Sequence, residues 1–427
     1  MSSQLSQSSP SKHARPLRSV ASLFLESPPK QIHCRLESSF DKLETYRDTW
    51  DDATSRLGGS IYFSYDWARL WWGFYGDGAA LRIFIFSSAD EIVAILPIYI
   101  EVIRFGPVSL KLARLVGSNI PPKAFNPPID PAFADDVFQY VLLQLFREEG
   151  CDALSFGPVS ESSSFAEALS GAARQASGLV ARTSENSNGV HSVWHLPQTM
   201  DDYFQSLSRN ERKNRKADLK KLRNEHAGRI EVVRDPVRVD AEFENFLQQH
   251  AVQWAAEGRT GHFGAWPCAA EFNRALVKVH GRLGRVRFIR ILAGEKTITN
   301  LYAFAFGDSY YCELPARSID PQWNRFSLGP AGIVATIGAA ISEGQTRLEG
   351  GLAHYDYKLR LGAKEYSVKT LRVVANRPAA RLRMLIFTAL RLGLLYGYHK
   401  IWYRRIAPHL RAFAHRPQWS LWLRLEF

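Results

Sequence analysis

The chain has 427 residues, of which 46% are apolar and 22% charged, an ordinary balance for a globular protein. Its length exceeds that of one typical domain, so we expect two domains with flanking tails. The formal net charge is +12, but residues 376–427 hold ten Lys or Arg and one acid, so the rest of the chain is only weakly basic. Any interaction with a polyanion is therefore expected at the C-terminal segment or at a local cluster.

The four cysteines are widely separated and form no CxxC pair, which excludes a disulfide framework and a cysteine-based zinc site. Isolated thiols favour a reducing, cytoplasmic location. The spacing of His250, His262 and Cys268 matches no standard ligand pattern, so no metal is expected. The N-terminus lacks the pattern of a signal peptide, and no run of 18 apolar residues predicts a transmembrane helix.

Residues 1–30 are predicted to be a disordered tail because nine of the first 27 residues are Ser and few are apolar. Residues 31–185 are predicted to form a first α/β unit. Its helices are expected at residues 39–56, 62–76, 134–149 and 161–176, and its strands at 80–88, 91–106 and 151–156.

Residues 190–375 are predicted to form a second unit with a similar order of elements. Its expected helices are 200–226, 243–257, 270–284, 328–344 and one near 353–362, and its expected strands are 191–197, 285–293, 296–307, 309–317, 346–350 and 367–375. The fold class is therefore α/β (α+β), with two tandem units that each combine a mixed, mostly antiparallel sheet with helices on both faces. Residues 376–427 form a basic, aromatic helical segment.

Three stretches of the second unit together resemble a known family. They are the basic helix SLSRNERKNRKADLKKLRNEHAG, the segment LYAFAFGDSYYCELPARSIDPQWNRFSLGPAGI and the segment LEGGLAHYDYKLRLGAKE. The chain resembles the CelD/BcsL-type (BioF-like) GNAT acetyltransferases, which are related to the FemAB peptidyltransferases. The resemblance covers roughly residues 40–375 and implies two GNAT-like units that transfer an acyl group, usually from acyl-CoA, to an amine.

The turn before helix 328–344 is the expected site for the phosphates of acyl-CoA. Backbone N–H groups at a helix N-terminus bind anions, Arg325 can pair with phosphate, Ser327 can cap the helix and Gly329 permits close approach. The Arg-x-x-Gly-x-Gly/Ala signature of GNAT proteins is matched imperfectly, because Arg325, Gly329 and Ala331 are one residue out of spacing. Pro330 also removes one donor, so an ordinary capped helix start is the alternative.

Two acids are candidates for the general base. Glu313 lies in a strand suited to burial, and burial would raise the pKa of a glutamate toward neutrality. Glu349 occupies the position of the acid that relatives carry on the following strand, and Tyr357 and Lys358 occupy the position of their Tyr-Lys pair. The resemblance implies Tyr357 as the proton donor to the leaving thiolate and Lys358 as a partner for substrate charge. The alternatives are a solvent-facing Glu313 and a purely structural helix start at Tyr357.

The basic cluster between Arg209 and Arg223 suits either an anionic groove or a solvated helix face, and it lacks the aromatic residues of nucleic-acid sites. No nucleic-acid partner is expected. Residues 378–427 combine Leu, Tyr, Trp and Arg, which favours peripheral contact with the inner face of a membrane over helix packing or a dimer contact.

Three hypotheses follow for the whole chain. The first is an N-acyltransferase that uses acyl-CoA, has a substrate cleft between its units and acts on an amine-bearing sugar or envelope precursor, as in exopolysaccharide synthesis. The second is a FemAB-like aminoacyl transferase that needs no free CoA. The third is a non-catalytic accessory protein of polysaccharide synthesis.

Overall fold

The computed structural model describes residues 32–118, 123–406 and 409. The predicted disordered tail, and the part of the C-terminal segment beyond residue 409, lie outside the described residues. The described chain is a mixed α/β structure built on one continuous sheet of twelve strands, and the predicted fold class is therefore confirmed.

Within the described residues, the first half of the chain supplies six strands and four α-helices. The strands are β1 (His33–Glu37), β2 (Ala80–Ser88), β3 (Glu91–Phe105), β4 (Val108–Leu115), β5 (Ala153–Ser160) and β6 (Val180–His195); the helices are α1 (Arg47–Arg56), α2 (Tyr65–Tyr75), α3 (Ala134–Leu143) and α4 (Phe165–Gln175). Short 3-10 helices lie at Asp41–Tyr46, Ile61–Phe63 and Pro131–Phe133, and a π-helical turn at Gln144–Glu148 continues α3.

The second half repeats this order after two additional helices. These are α5 (Met200–Ser206) and α6 (Arg209–His226). The order then continues with β7 (Gly228–Val233), α7 (Pro236–Ala256), α8 (Gly261–Ala265), α9 (Ala269–Arg282), β8 (Val286–Ala293), β9 (Lys296–Phe306), β10 (Ser309–Arg317), a 3-10 helix (Pro321–Phe326), α10 (Leu328–Ser342), β11 (Arg347–Leu352), α11 (Asp356–Arg360) and β12 (Lys364–Ala375). Helix α12 (Pro378–Tyr396) follows, continued by a π-helical segment (Gly397–Ile406).

The strand order is β1-β2-β3-β4-β5-β12-β6-β11-β10-β9-β8-β7. The two halves exchange their last strands, because β12 pairs with β5 of the first half and β6 pairs with β11 of the second. Strands β6 and β12 also pair with each other, antiparallel, from Val193 opposite Lys364 to Val180 opposite Ala375. The order is symmetric about this central pair, as a pseudo-repeat requires.

Each half has the same strand directions. Four strands run antiparallel, and the fourth is parallel to the fifth, as β4 is to β5 and β10 is to β11. The predicted boundary near residues 185–190 falls inside β6, a single uninterrupted strand. The division of the chain into two separate units stays a prediction.

Successive residues of β10 face opposite sides of the sheet, as the pleat requires. Tyr310 packs in a core with Ile333 and Ile337 of α10, whereas Tyr311 packs in a second core with Phe243 of α7. Helices therefore cover both faces of the second half, which leaves the edges and loops of the sheet as places for a site.

The single helix predicted over residues 200–226 is wrong, because the chain forms α5 and α6 with a break between them. Ser208 has an extended ψ of 150° and its hydroxyl accepts a hydrogen bond from the N–H of Glu211 at 3.3 Å, which starts a new helix. Thr199 caps α5, because its hydroxyl accepts a hydrogen bond from the N–H of Asp202 at 3.1 Å.

The exchange predicts that the described halves unfold together. Leu371 of β12 is fully buried in the core shared with the first half, and we expect Leu371→Ala to cost about 2–5 kcal/mol of unfolding free energy. Urea unfolding followed by tryptophan fluorescence and by circular dichroism should give one coincident transition. The control Lys369→Ala, on the same strand but 40% exposed, should cost less than about 1 kcal/mol. Two separated transitions would contradict the prediction.

Candidate active site

Strands β10 and β11 pair only briefly and then diverge. The parallel register joins Ser309 with Arg347 and ends where Tyr311 faces Glu349, although β10 continues to Arg317. The local sequence of β11 explains the divergence. A side chain at Gly350 would collide with the Trp194 ring, at 2.4 Å, and Gly351 has a φ of +76° that favours glycine. The two glycines turn β11 away and open a groove between the strands.

A β-bulge lies in β10 at the start of this groove. The register against β9 shifts between Cys312 and Leu314, so Glu313 is the extra residue with no partner in β9. The β11 register has already ended at this level. A bulge leaves a backbone N–H outside the ladder, and such a group can polarise the carbonyl of a bound thioester.

A cavity of about 240 Å³ lies at the N-terminus of α10, at the other end of the groove. Arg317, Trp323, Ser327 and Gly329 contribute to its lining. The N–H groups of a first helical turn have no partner within the helix, and no side chain fills the space beside Gly329. The buried indole Nε1 of Trp323 also has no hydrogen-bond partner. The cavity therefore offers several donors and one guanidinium to an anion.

The structure shows the surroundings of three residues predicted for this turn. Ser327 makes no side-chain cap, because its φ of 47° places it in the left-handed region, so the predicted cap is wrong. Arg325 pairs with Glu225 at 3.0 Å and does not line the cavity, whereas Arg317 does. Ala331 is buried in the core. Among the predicted residues, Ser327 and Gly329 line the cavity, and the roles of all four in binding stay predictions.

Glu313 is not solvent-facing. Its carboxylate forms an ion pair with Lys123 and accepts a hydrogen bond from the hydroxyl of Tyr62 at 3.0 Å. Both partners belong to the first half of the chain. Burial first, and the charge of Glu313 second, raise the pKa of Tyr62 well above its ordinary value. The Tyr62 hydroxyl therefore keeps its proton at neutral pH and donates a hydrogen bond that fixes the Glu313 carboxylate.

Glu349 also has a charged environment. It lies 2.5 Å from Nε2 of His191 and accepts a hydrogen bond from Arg347 at 2.7 Å. Burial alone would raise the pKa of Glu349, but the hydrogen bonds and charges of His191 and Arg347 outweigh burial and lower it. Glu349 is therefore ionised at neutral pH, which suits an orienting anion better than a base that must hold a proton.

Tyr357 and Lys358 lie on α11, beside the groove and close to Cys312. Burial raises the pKa of the Tyr357 hydroxyl and of the Cys312 thiol, the latter to about 12, so both groups are protonated at neutral pH. The ammonium of Lys358 donates to the carbonyl of Gly350 at 2.9 Å and to two further carbonyls, those of Leu352 and Ala353, at 3.4 Å. Lys358 thus fixes the segment that opens the groove, with its three protons directed at the backbone.

A second cavity, of about 320 Å³, lies between the two halves. Tyr62 and His191 line it from the first half, and Tyr311, Arg347 and Glu349 from the second. Glu349 is the last paired residue of β11 before the groove opens, so this cavity adjoins the groove.

The described residues include no group of three or more His, Cys, Asp or Glu side chains arranged to hold a metal ion. The His250 and His262 rings are 6.0 Å apart. Desolvation lowers the pKa of both to about 4, whereas Cys268 is exposed.

The sequence does not indicate four residues that line these cavities or contact Glu313: Lys123, His191, Tyr62 and Arg317. Lys123, His191 and Tyr62 contact Glu313 or Glu349, which lie more than 150 residues away in the sequence. A single sequence carries no signal for such long-range contacts. Arg317 was within reach of prediction, since it lies at the end of a correctly predicted strand, in the chain just before the phosphate turn.

The environment of Glu349 predicts a pH-dependent contribution to stability. The pKa of Glu349 is lower in the folded state than in the unfolded state, where it is near 4.5. Glu349 therefore stabilises the native state fully above the unfolded pKa, and this stabilisation is lost as the pH falls through the folded pKa. We expect Glu349→Gln to cost about 1–3 kcal/mol at pH 7 in urea unfolding, and less at pH 4. The control Glu185→Gln, in the exposed pair with Lys369, should change stability by less than about 1 kcal/mol. An equal cost of Glu349→Gln at both pH values would contradict the assignment.

Part of the chain matches a known family model, and its fold is similar to that of solved structures. Residues 209–359 match the family model of the acetyltransferase (GNAT) domain. Among solved structures, the chain is similar to FemX, with a TM-score of 0.57 and 10% identity over 79% of this chain and 98% of that chain. The structure of L-PGS from Bacillus licheniformis gives a TM-score of 0.45 and 14% identity, over 79% of this chain and 95% of that chain. No curated protein matches the sequence.

At these identities, similarity between structures shows the fold alone. The matched region runs from α6 to α11 and contains the bulge, the groove and the cavity at α10. The chain thus contains a region that matches the GNAT acetyltransferase domain, within a fold similar to that of FemX.

Proposed function

We propose that the protein is an N-acyltransferase that moves an acyl group, in the simplest case acetyl, from acyl-CoA to an amine. The observation that carries this proposal is the bulge at Glu313, which lies in the same groove as the open N-terminus of α10. Acyl transfer needs both features, one to polarise a thioester carbonyl and one to hold phosphates. Both lie inside the region that matches the GNAT acetyltransferase domain.

The residues at α10 fit the phosphates of a CoA donor. The guanidinium of Arg317 and the first-turn N–H groups of Leu328 and Gly329 point to an anion site, and no acid lies in that first turn. Pro330 lacks an N–H and so reduces the number of donors. The donor would supply an activated acyl group in the groove, and this chain would supply its orientation.

The side chains beside the groove suggest roles in proton transfer. The neutral hydroxyl of Tyr357 can protonate a leaving thiolate, and its raised pKa keeps that proton available. Glu313 is a candidate base that Lys123 and Tyr62 hold in place. Lys358 supports the chemistry indirectly, because it anchors the backbone after Gly350.

A second candidate function is FemAB-like aminoacyl transfer without free CoA. The phosphate turn favours this function, because it is poorly suited to CoA. Arg325 is paired with Glu225, and Pro330 has no backbone N–H to donate to a phosphate. The third possibility, a non-catalytic accessory protein, would retain the fold and bind neither donor. An envelope or polysaccharide precursor as acceptor belongs to the first two proposals, and the third is an accessory role in polysaccharide synthesis.

Calorimetric titration with acetyl-CoA separates the CoA-dependent function from the other two. We expect a dissociation constant on the order of 1–100 μM, and we expect Gly329→Glu to weaken binding by roughly 100-fold, since its carboxylate would repel the phosphates. A side chain fits at Gly329 because no atom lies within 4 Å of its added Cβ. The control Gly73→Glu adds the same charge to another open helical position and should leave binding unchanged. No binding by the unmodified protein would exclude the CoA-dependent function.

We further propose that the protein is cytoplasmic and contacts an anionic membrane through α12. Leu382, Leu385, Leu392 and Tyr396 are each more than half exposed, and at 3.6 residues per turn they fall within roughly one quarter of the helix circumference. Ala380, Met384 and Phe387 bury the opposite face against the sheet.

The charge of this segment favours a lipid surface over a second copy of the chain. Residues 376–406 contain seven Lys or Arg and no acid, so two such faces would repel each other, whereas anionic headgroups would attract one. None of the helices within the described residues is long and apolar enough to span a bilayer. Surface contact is therefore the proposed mode.

Vesicle sedimentation tests this surface. The protein should sediment with vesicles that contain phosphatidylglycerol and much less with pure phosphatidylcholine. The double variant Leu385→Glu/Leu392→Glu should weaken binding by roughly tenfold or more, while the control Leu143→Glu, at an exposed leucine of α3, should not. Vesicle binding that the double variant leaves unchanged, or a dimer in light scattering that the same variant dissociates, would overturn the proposal.

A further inference from the structure

The cavity between the halves has the lining of a carbohydrate site. Its hydroxyl and amide groups come from Ser55, Ser60, Asn126, Ser160, Ser162 and Ser309. Its volume of about 320 Å³ lies at the lower end of the range for small-molecule pockets. Many neutral hydrogen-bonding groups in a small space match a ligand that carries several hydroxyls.

Aromatic rings and balanced charge narrow the class of ligand further. Tyr62, Phe125, Tyr311 and Phe306 contribute rings to the same cavity, and aromatic faces pack well against the C–H surface of a sugar ring. The lining contains two arginines, Arg56 and Arg347, and two acids, Asp308 and Glu349. A phosphate would require a surplus of cations, and a lipid chain would leave the hydroxyls unpaired.

His191 is the lining group with reactive potential. Its side chain is 8% exposed, and its Nδ1 has no hydrogen-bond partner. Glu349 beside Nε2 favours the tautomer with the proton on Nε2, because an ionised carboxylate accepts that hydrogen bond. Nδ1 then carries a free lone pair, which is the arrangement of a base oriented by an acid. Nε of Arg347, another lining residue, is likewise buried without a partner.

We propose that this cavity binds an amino-sugar residue as the acyl acceptor and that His191 is the base that deprotonates its amine. The inference rests on the proposed acyltransferase function. As the nitrogen–carbon bond to the acyl group forms, the amine proton moves to Nδ1 of His191. The carbon–sulfur bond then breaks, and Tyr357 protonates the thiolate. Glu349 is a positioning residue, since it contacts His191 and not the acceptor in this scheme.

Binding tests the cavity without any donor. Saturation-transfer NMR on the full chain should detect glucosamine, and an excess of free lysine should not displace it. Ser162→Trp should weaken glucosamine binding by roughly tenfold or more, because it places an indole at an exposed lining position. The control Ser164→Trp changes an exposed serine outside the lining and should have no effect. Displacement by lysine, or glucosamine binding that Ser162→Trp leaves unchanged, would overturn the sugar assignment.

Kinetics test the base. His191→Gln retains a group that can reach Glu349 but has no basic nitrogen, so glucosamine binding should stay within roughly twofold, while acetyl transfer from acetyl-CoA should fall by roughly 100-fold or more. A variant with an unchanged rate of acetyl transfer would exclude His191 as the base.

The donor variant distinguishes failure of this inference from failure of the proposed function. Gly329→Glu should weaken acetyl-CoA binding by roughly 100-fold and leave glucosamine binding intact. Acetyl-CoA binding without glucosamine binding would refute the acceptor site alone. Glucosamine binding without acetyl-CoA binding would refute the CoA-dependent function and, with it, the role of His191 in acetyl transfer.

Discussion

The antiparallel pairing of β6 with β12 is the interaction on which the rest of the described structure depends. It joins the ends of the two halves into one sheet and places each half's last strand beside the other half. His191 lies on β6, and Glu349 lies on β11, which β6 flanks. Without the exchange, the histidine and the carboxylate would belong to separate sheets. The strand exchange is therefore also what assembles the candidate site.

Ionic contacts across the halves reinforce this arrangement at the level of side chains. Asp51 of α1 pairs with Arg285 at 2.6 Å, and Lys123 pairs with Glu313. Buried ion pairs contribute little net stability, because desolvation offsets their attraction, but loss of one partner leaves a costly uncompensated charge. These pairs consequently specify how the halves align more than they hold them together. Precise alignment matters because Glu313 and Glu349 belong to the second half, whereas Lys123, Tyr62 and His191, which contact them, belong to the first.

Sequence patterns predicted local elements well and long-range pairing poorly. The hairpin strands around Ala293 and Gly307 and the helix after Ser327 were predicted because turns, periodicity and glycines are local signals. The short strands β1, β4 and β7 were missed, and the exchange of β6 with β12 could not be read from one chain, since pairing partners leave no local mark. The same limit applies to the site. Glu313 and Glu349 were found as acids in apolar strands, whereas Lys123 and His191 act only through residues far along the chain.

The pseudo-symmetry raises the question of why only the second half should hold a donor. Strands β4 and β5 also pair briefly, from Leu112 to Arg114, as β10 and β11 do. The helix that follows begins differently, however. Asp130 caps the 3-10 turn ahead of α3, and Asp135 and Asp136 lie in the first turn of α3. The Asp130 carboxylate already occupies an N–H group that an anion would need, and the two carboxylates of α3 would repel an anion. Helix α10, in contrast, begins without an acid. In the proposed function, the first half therefore binds no donor, because acids lie where the phosphates would bind, and it contributes to the acceptor side instead.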